Sequence, residues 1–348
     1  MDTEMLTVNK DNPELAALEP AAAVLRRGGL VAFPTETVYG LGANGLDPKA
    51  VAGIYQAKGR PSDNPLILHI AEPASVLKLA DCIPANAQRL MDIFWPGPLT
   101  IVFQRTAAVP DIVTGGLDTV AVRLPDSPVA RQLIRLAGVP IAAPSANTSG
   151  RPSPTTAQAV WADLAGRIDI IVDAGPCEIG VESTVIDCTT PVPTLLRPGG
   201  ITLEQLIEVL GEVELDPALS SEESVPRSPG MKYTHYAPSA PMVLVEAEGT
   251  GMLDILCRET SAAIAAGQTV GAIVSSETAG CLTPGVAVSV YGSRQDGSQI
   301  AANLYTALRF FDNCPVDIIY AEGISEAGIG LAVMNRLRKA AGYRIINS

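Results

Sequence analysis

Lys58-Gly59-Arg60-Pro61-Ser62-Asp63-Asn64-Pro65, together with Pro144-Ser145-Ala146-Asn147 far along the chain, carries the residue types that hold an anion. Cations, hydroxyls and amides stand among prolines and glycines, which shapes a loop around a ligand rather than filling a core. An isolated Lys-Gly-Arg reads as a solvated helix end. Here Pro61 and Pro65 fix the backbone, so that Arg60 can fork onto phosphate oxygens while Asn64 donates or accepts, and the ligand reading leads. Arg123 closes the apolar run Thr119-Val120-Ala121-Val122, where a charge is costly unless paired; a carboxylate ligand suits it. Two readings stay open for Thr35-Glu36-Thr37: strand-end residues with Glu36 capping a turn, or hydroxyls facing a small polar ligand. His69 alternates within Leu66-Ile67-Leu68-His69-Ile70, the pattern of an interior histidine satisfied by a backbone carbonyl.

Other phosphate-binding devices are missing or misplaced. Gly40-Leu41-Gly42-Ala43-Asn44-Gly45 spells GxGxxG, but Pro34 to Tyr39 intervene between it and the preceding strand, whereas a dinucleotide fold needs the first glycine straight off the strand. No Gly-Lys-[Ser/Thr] ends a glycine loop. Phosphate binding then falls to side chains.

The elements that must position these residues are α/β. From Leu18 to about Gly211, short β-branched runs alternate with helical segments. Helices are expected from Pro20 to Gly28-Gly29, from an Asp47 cap and Pro48 to Gly59, and near 84–94, 127–137 and 155–165. Strands are expected at Leu30–Phe33, Leu66–Ile70, Leu99–Phe103, Thr119–Leu124, Ile168–Val172, Thr184–Asp187 and Thr194–Leu196. Residues 212–241 lose periodicity and read as a linker, although Tyr233, His235 and Tyr236 are unusual in a mere spacer. From Met242 a second βα pattern runs to the end of the chain, with strands at 242–246, 270–275, 286–291 and 317–321 and helices near 251–265, 298–311 and 329–341.

Composition bounds the function. A chain of 348 residues exceeds what one core usually organises, giving two domains. A net charge of −13 argues against gripping nucleic acid through bulk electrostatics. Six scattered cysteines without a CxxC pair, and two distant histidines, speak for reduced thiols rather than a zinc cage. The acidic N-terminus and the lack of an apolar run near the roughly 20 residues of a membrane span point to the cytoplasm, with no membrane contact.

Taken together, the motifs resemble the long form of the threonylcarbamoyl-AMP synthase family. The pieces are Pro34-Thr35-Glu36-Thr37-Val38-Tyr39-Gly40-Leu41, Lys58 to Leu66, Trp95-Pro96-Gly97-Pro98-Leu99-Thr100, Val122-Arg123-Leu124-Pro125, Pro144 to Gly150, Gly180-Val181-Glu182-Ser183-Thr184-Val185, Leu196-Arg197-Pro198-Gly199 and Ser228 to Pro238. The resemblance implies a YrdC-like twisted mixed-sheet catalytic domain over 1–211. A linker over 212–241 would act as an active-site lid, and a smaller Rossmann-like α/β domain would occupy 242–348. It implies a reaction of L-threonine, bicarbonate and ATP, with Mg²⁺ accompanying ATP and no dedicated protein metal ligands. The products would be threonylcarbamoyl-AMP and diphosphate, the former passed to a tRNA threonylcarbamoyl transferase. By the same resemblance Lys58, Arg60, Ser145 and Asn147 form the catalytic cluster. Thr37, His69, Arg123, the Ala143 backbone and Ser183 would hold threonine, and Arg60, Asn64, Thr119, Ser145, Ser153, Arg197 and Tyr236 would hold ATP. Thr234 departs from the family, whose members more often place a basic residue there. Two rival readings are a module that binds double-stranded RNA or tRNA, which the acidic balance disfavours, and a hydrogenase-maturation enzyme, whose zinc-finger cysteines and acylphosphatase-like domain this chain lacks.

Overall fold

A computed structural model of the chain describes residues 2–219, 235–247 and 251–347. Half of the lid segment expected over 212–241, residues 220–234 with Ser228, Lys232, Tyr233 and Thr234, lies outside these residues. The chain divides into two compact units: Met1–Ser149 with Ser153–Lys232, and Gly150–Pro152 with Tyr233–Ser348.

The first unit is built on one mixed sheet. Its strands among the described residues are β1 (Glu4–Thr7), β2 (Val31–Phe33), β3 (Gly40–Asn44), β4 (Ile67–His69), β5 (Leu99–Gln104), β6 (Thr119–Arg123), β7 (Ile141–Ala142), β8 (Ile170–Asp173), β9 (Thr184–Asp187), β10 (Thr194–Arg197) and β11 (Glu214–Leu215). They lie side by side in the order β1-β8-β2-β3-β7-β4-β6-β5-β9-β10-β11. Parallel pairs such as β4 with β6 and β5 with β9 alternate with antiparallel ones such as β5 with β6. Strand β11 draws the first residues of the expected linker into this sheet, alongside β10.

The first helix corrects one expectation. It spans Leu15–Arg26 and carries Pro20 inside it rather than at its start. Proline at that position removes a helix donor, a cost of about 3 kcal/mol. The helix persists because Leu18, Ala21, Ala22, Val24 and Leu25 are buried in a shared core with Val129, Leu133 and Ile134 of helix Pro128–Ala137. The helix Pro48–Lys58 forms as its sequence dictates. Asp47 accepts from the Lys49 N–H, Pro48 opens the first turn, and Gly59 leaves it at φ 63, a left-handed position that favours glycine.

The GxGxxG segment is the strand β3, antiparallel to β2. Its glycines serve packing: a Cβ on Gly42 would approach both Ile141 Cγ2 and Phe33 Cε1 to 2.8 Å.

The second unit holds strands β12 (Met242–Glu246), β13 (Val270–Ser275), β14 (Ala287–Gly292), β15 (Ile318–Glu322) and β16 (Ile345–Asn347) in the order β14-β13-β15-β12-β16. Every neighbouring pair is parallel. Helix Gly251–Ala265 packs its Met252, Ile255, Leu256 and Ala263 on the face displayed by Val245, Val270, Ala272, Val274 and Tyr320. No helix among the described residues is long and apolar enough to cross a membrane. All six cysteines are free thiols.

Candidate functional site

Lys58 is the last residue of its helix and only 1% exposed. Its ammonium donates to the carbonyl oxygens of Ser145 and Asn147, both at 2.5 Å, and reaches Asn147 Oδ1 at 3.4 Å. Ser145 Oγ donates to the same Oδ1 at 2.6 Å. The loop carrying Ser145 and Asn147 is pinned between strands: Leu41 N–H donates to the Pro144 carbonyl and Ala146 N–H to that of Tyr39. Lys58, Ser145 and Asn147, read as one cluster from the sequence, thus meet in space.

Arg60 turns back over its own loop, its Nη2 donating to the Pro65 carbonyl at 3.2 Å. Asn64 is 1% exposed, and its side-chain oxygen has no hydrogen-bond partner. A buried amide oxygen in that state costs about 1–3 kcal/mol, which a donor on a ligand would recover.

Sheet register assembles a second group. His69 at the end of β4 stands opposite Arg123 at the end of β6, and Arg123 stands opposite Thr100 on β5. Directly opposed residues share a face, so three polar side chains form one row on an otherwise apolar floor. Burial, with the Arg123 charge adding to it, lowers the His69 pKa to about 3, so the imidazole is neutral near pH 7. Thr100 Oγ1 lies 2.8 Å from Ser183 Oγ, and the Arg197 guanidinium donates to the Ser183 carbonyl. Ser153 Oγ donates to Glu182 Oε1 at 2.5 Å.

Arg123 already has a protein partner. Its Nη2 lies 2.7 Å from Glu36 Oε1, with Arg123 4% and Glu36 7% exposed. The contact is ionic but poorly aligned: both Glu36 oxygens and Arg123 Nε and Nη2 lack hydrogen-bond partners. The short distance pairs the two charges, and the missing alignment leaves hydrogen-bonding capacity unspent. Thr37, fully buried, sits beside it with Oγ1 2.8 Å from Thr35 Oγ1.

The segment from Ala143 to Asn147 joins the two groups. Ala143 N–H donates to the Ile67 carbonyl beside His69's strand, while Ser145 and Asn147 hold Lys58. Thr119 is placed differently. It opens β6 opposite Gln104, four residues before Arg123 and so roughly 13 Å away along the strand; no hydrogen bond among the described residues ties it to the cluster. Tyr236 belongs to the second unit, at φ 64, its ring centroid 5.4 Å from that of Tyr305 and tilted 31° to it, with the Arg336 guanidinium carbon 5.9 Å from its centroid.

Comparison with known proteins decides the family. Residues 23–199 match a family model described as "Telomere recombination", and residues 201–342 match one described as "Threonylcarbamoyl-AMP synthase, C-terminal domain". The threonylcarbamoyl-AMP synthase of Bacillus subtilis (strain 168) is 50% identical over 345 residues, 99% of this chain and 97% of its own. That of Pyrococcus abyssi is 52% identical over 331 residues, 94% of each chain. The chain belongs to the threonylcarbamoyl-AMP synthase family. The crystal structure of P. abyssi Sua5 complexed with L-threonine matches with a TM-score of 0.94 at 49% identity, covering 99% of both chains. Escherichia coli YciO, at 24% identity and a TM-score of 0.52, shares the fold over 57% of this chain.

Two residues of this buried polar group were not singled out from the sequence. Glu36 read only as a turn cap, and its role as partner of Arg123 depends on a loop-to-strand contact that no local pattern reveals. Thr100 entered only as the last residue of the Trp95–Thr100 segment; the signal was register, since the pairing of β5 with β6 places it opposite Arg123.

Proposed function

We propose that this chain is an L-threonylcarbamoyladenylate synthase, a nucleotidyltransferase that uses L-threonine, bicarbonate and ATP. The observation that carries the reading is identity of about half the residues, over nearly the whole chain, with synthases from a bacterium and an archaeon. The site chemistry agrees with it. The threonine amine and bicarbonate combine to a carbamate with loss of water. A carbamate oxygen then bonds to the α-phosphorus of ATP as the bond to the diphosphate leaving group breaks. Such a transfer needs positioning and cations rather than a covalent nucleophile.

In this reading Arg123 pairs the threonine carboxylate, using donor capacity that Glu36 leaves unspent, while neutral His69 offers a hydrogen bond without competing charge. Thr37, Ser183 and the Ala143 backbone complete the threonine side. Lys58, Arg60, Ser145 and Asn147 stabilise charge that moves from the carbamate to phosphate, with Asn64, Ser153 and Arg197 on the nucleotide. Thr119 and Tyr236 are assigned to ATP by family resemblance alone. Mg²⁺ would enter on ATP oxygens. The threonylcarbamoyl adenylate would be consumed by a transferase acting on tRNA.

The test is diphosphate release by the purified protein with Mg-ATP, omitting threonine and bicarbonate in turn, with mass spectrometry of the nucleotide product. Release that requires both, with a threonylcarbamoyl adenylate detected, is the expected result; release indifferent to both overturns the reading. Truncation before Ser228 tests the lid, and full synthesis without that segment would remove it from the mechanism.

A further inference from the structure

The second unit contains a cleft that the proposed reaction does not use. Its all-parallel sheet brings the carboxyl ends of β12, β13, β14 and β15 to one edge, where open α/β sheets bind ligands. The strand order makes β15 and β12 neighbours whose following connections run in opposite directions, β12 leading to β13 on one side and β15 to β16 on the other. Outside these ends lies a cavity of about 820 Å³ whose lining includes Glu246, Arg294, Glu322, Glu326, Met252 and Met334. That volume falls in the range of small-molecule sites.

The charged groups are arranged rather than scattered. Glu322, fully buried at the end of β15, accepts from the Ser275 N–H at 2.8 Å, from Ser275 Oγ and from Arg294 Nε. Arg294 Nη2 donates to Thr278 Oγ1, and the arginine remains 41% exposed. The buried acid thus fixes a guanidinium plane at the cavity, with Nη1 left to meet a carboxylate. Across the cleft, Arg338 bonds both oxygens of Glu246 at 2.8 Å and Glu326 Oε1 at 2.5 Å. Glu326 keeps its second oxygen available and is 44% exposed. Three glutamates against one arginine in the lining, with Arg338 behind it pairing two of the glutamates, leave the cleft net negative, which repels a phosphate dianion and favours an ammonium group.

We propose that this cleft binds a small zwitterion of the α-amino-acid class, its carboxylate on Arg294 and its ammonium on Glu326, with Met252 and Met334 taking the side chain. The proposal does not depend on the reaction assigned to the first unit. Its test is calorimetric titration of the full-length protein with each of the twenty L-amino acids in turn, and with inorganic phosphate and spermidine, repeated on Glu326→Gln and Ile324→Trp. Glu326 is exposed and tolerates the change, and tryptophan at Ile324 would fill the cleft without removing a charged group. Circular dichroism and an unfolding curve establish that both variants are folded. The expected result is at least one amino acid whose affinity falls tenfold or more in both variants. Threonine held only in the first unit would bind all three proteins alike. The proposal is overturned if no amino acid shows dependence on Glu326, or if phosphate or spermidine shows it instead.

Discussion

The first unit builds its buried charged row from strands of both directions, whereas the second collects its own at the carboxyl ends of parallel strands, and the contrast follows from strand direction. In the first, β6 runs parallel to β4 while β7 and β5 run antiparallel to them, so the carboxyl ends of β4 and β6 meet the amino ends of β7 and β5 at one edge. His69, Arg123 and Thr100 are instead aligned by register across three strands. In the second, uniform parallel pairing delivers Glu246, Ser275 and Glu322 to one edge by topology alone. The pairs also differ in satisfaction. Glu322 has three donors on it, while Glu36 and Arg123 touch with four polar atoms lacking hydrogen bonds. Burying such atoms is expensive, and a binding site is where a ligand can complete them.

The sharpest separation of the units is Lys58→Met. It keeps the stem but removes the ammonium from the Ser145 and Asn147 carbonyls, and diphosphate release should fall by about 10²- to 10³-fold. The matching change in the second unit is Tyr291→Phe, which deletes a buried hydrogen bond from the phenol to the Glu322 carbonyl. It should cost about 1 kcal/mol of stability and leave turnover within about twofold. Equal losses of turnover in the two variants would break the comparison.

The Glu36–Arg123 contact provides the next test. Arg123→Met alone strands a buried carboxylate, and urea unfolding should show destabilisation of about 3–5 kcal/mol. Adding Glu36→Gln should recover most of that loss, because the remaining group is neutral. Threonine affinity, measured by calorimetry, should stay lost in both proteins. Recovery of threonine binding in the double variant would make the pair structural and remove the distinction drawn between the units.

The sequence made the loops legible and the floor beneath them less so. Lys58, Asn64, Ser145 and Asn147 announced themselves because prolines, a helix cap and a glycine leave few conformations open to their segments. The helix Pro48–Lys58 and strands β9, β12 and β13 took their expected bounds for the same reason of strong local punctuation. Glu36 and Thr100 stayed hidden because their roles arise from pairing between distant strands. The Leu15–Arg26 helix extended through Pro20 because tertiary burial outweighed a local penalty. Strands β1, β7, β11 and β16, all short, drew no notice, since two to four residues carry too little periodicity to separate from a loop. The cleft of the second unit had no motif at all, and emerges only when the strand order is known.

The smallest effect is a dependence of stability on pH. His69 has its pKa lowered to about 3 by burial and by Arg123, against an ordinary value of 6.5. Between these values the unfolded chain binds a proton that the folded chain refuses, so unfolding becomes easier as pH falls from about 6.5 towards 3, with no contribution above that window. The slope attributable to this one residue is at most about 1.4 kcal/mol per pH unit. Carboxylates add their own acid dependence, so the measurement is the difference between wild type and His69→Gln in urea unfolding from pH 7 to pH 5, a range over which most carboxylates remain ionised. Glutamine fills a similar volume, can accept or donate, and does not titrate. The variant's unfolding free energy should fall less steeply than that of wild type over this range. Identical slopes would mean that His69 is solvated and protonates freely, and the polar row formed with Arg123 and Thr100 would then be an open surface rather than a buried floor.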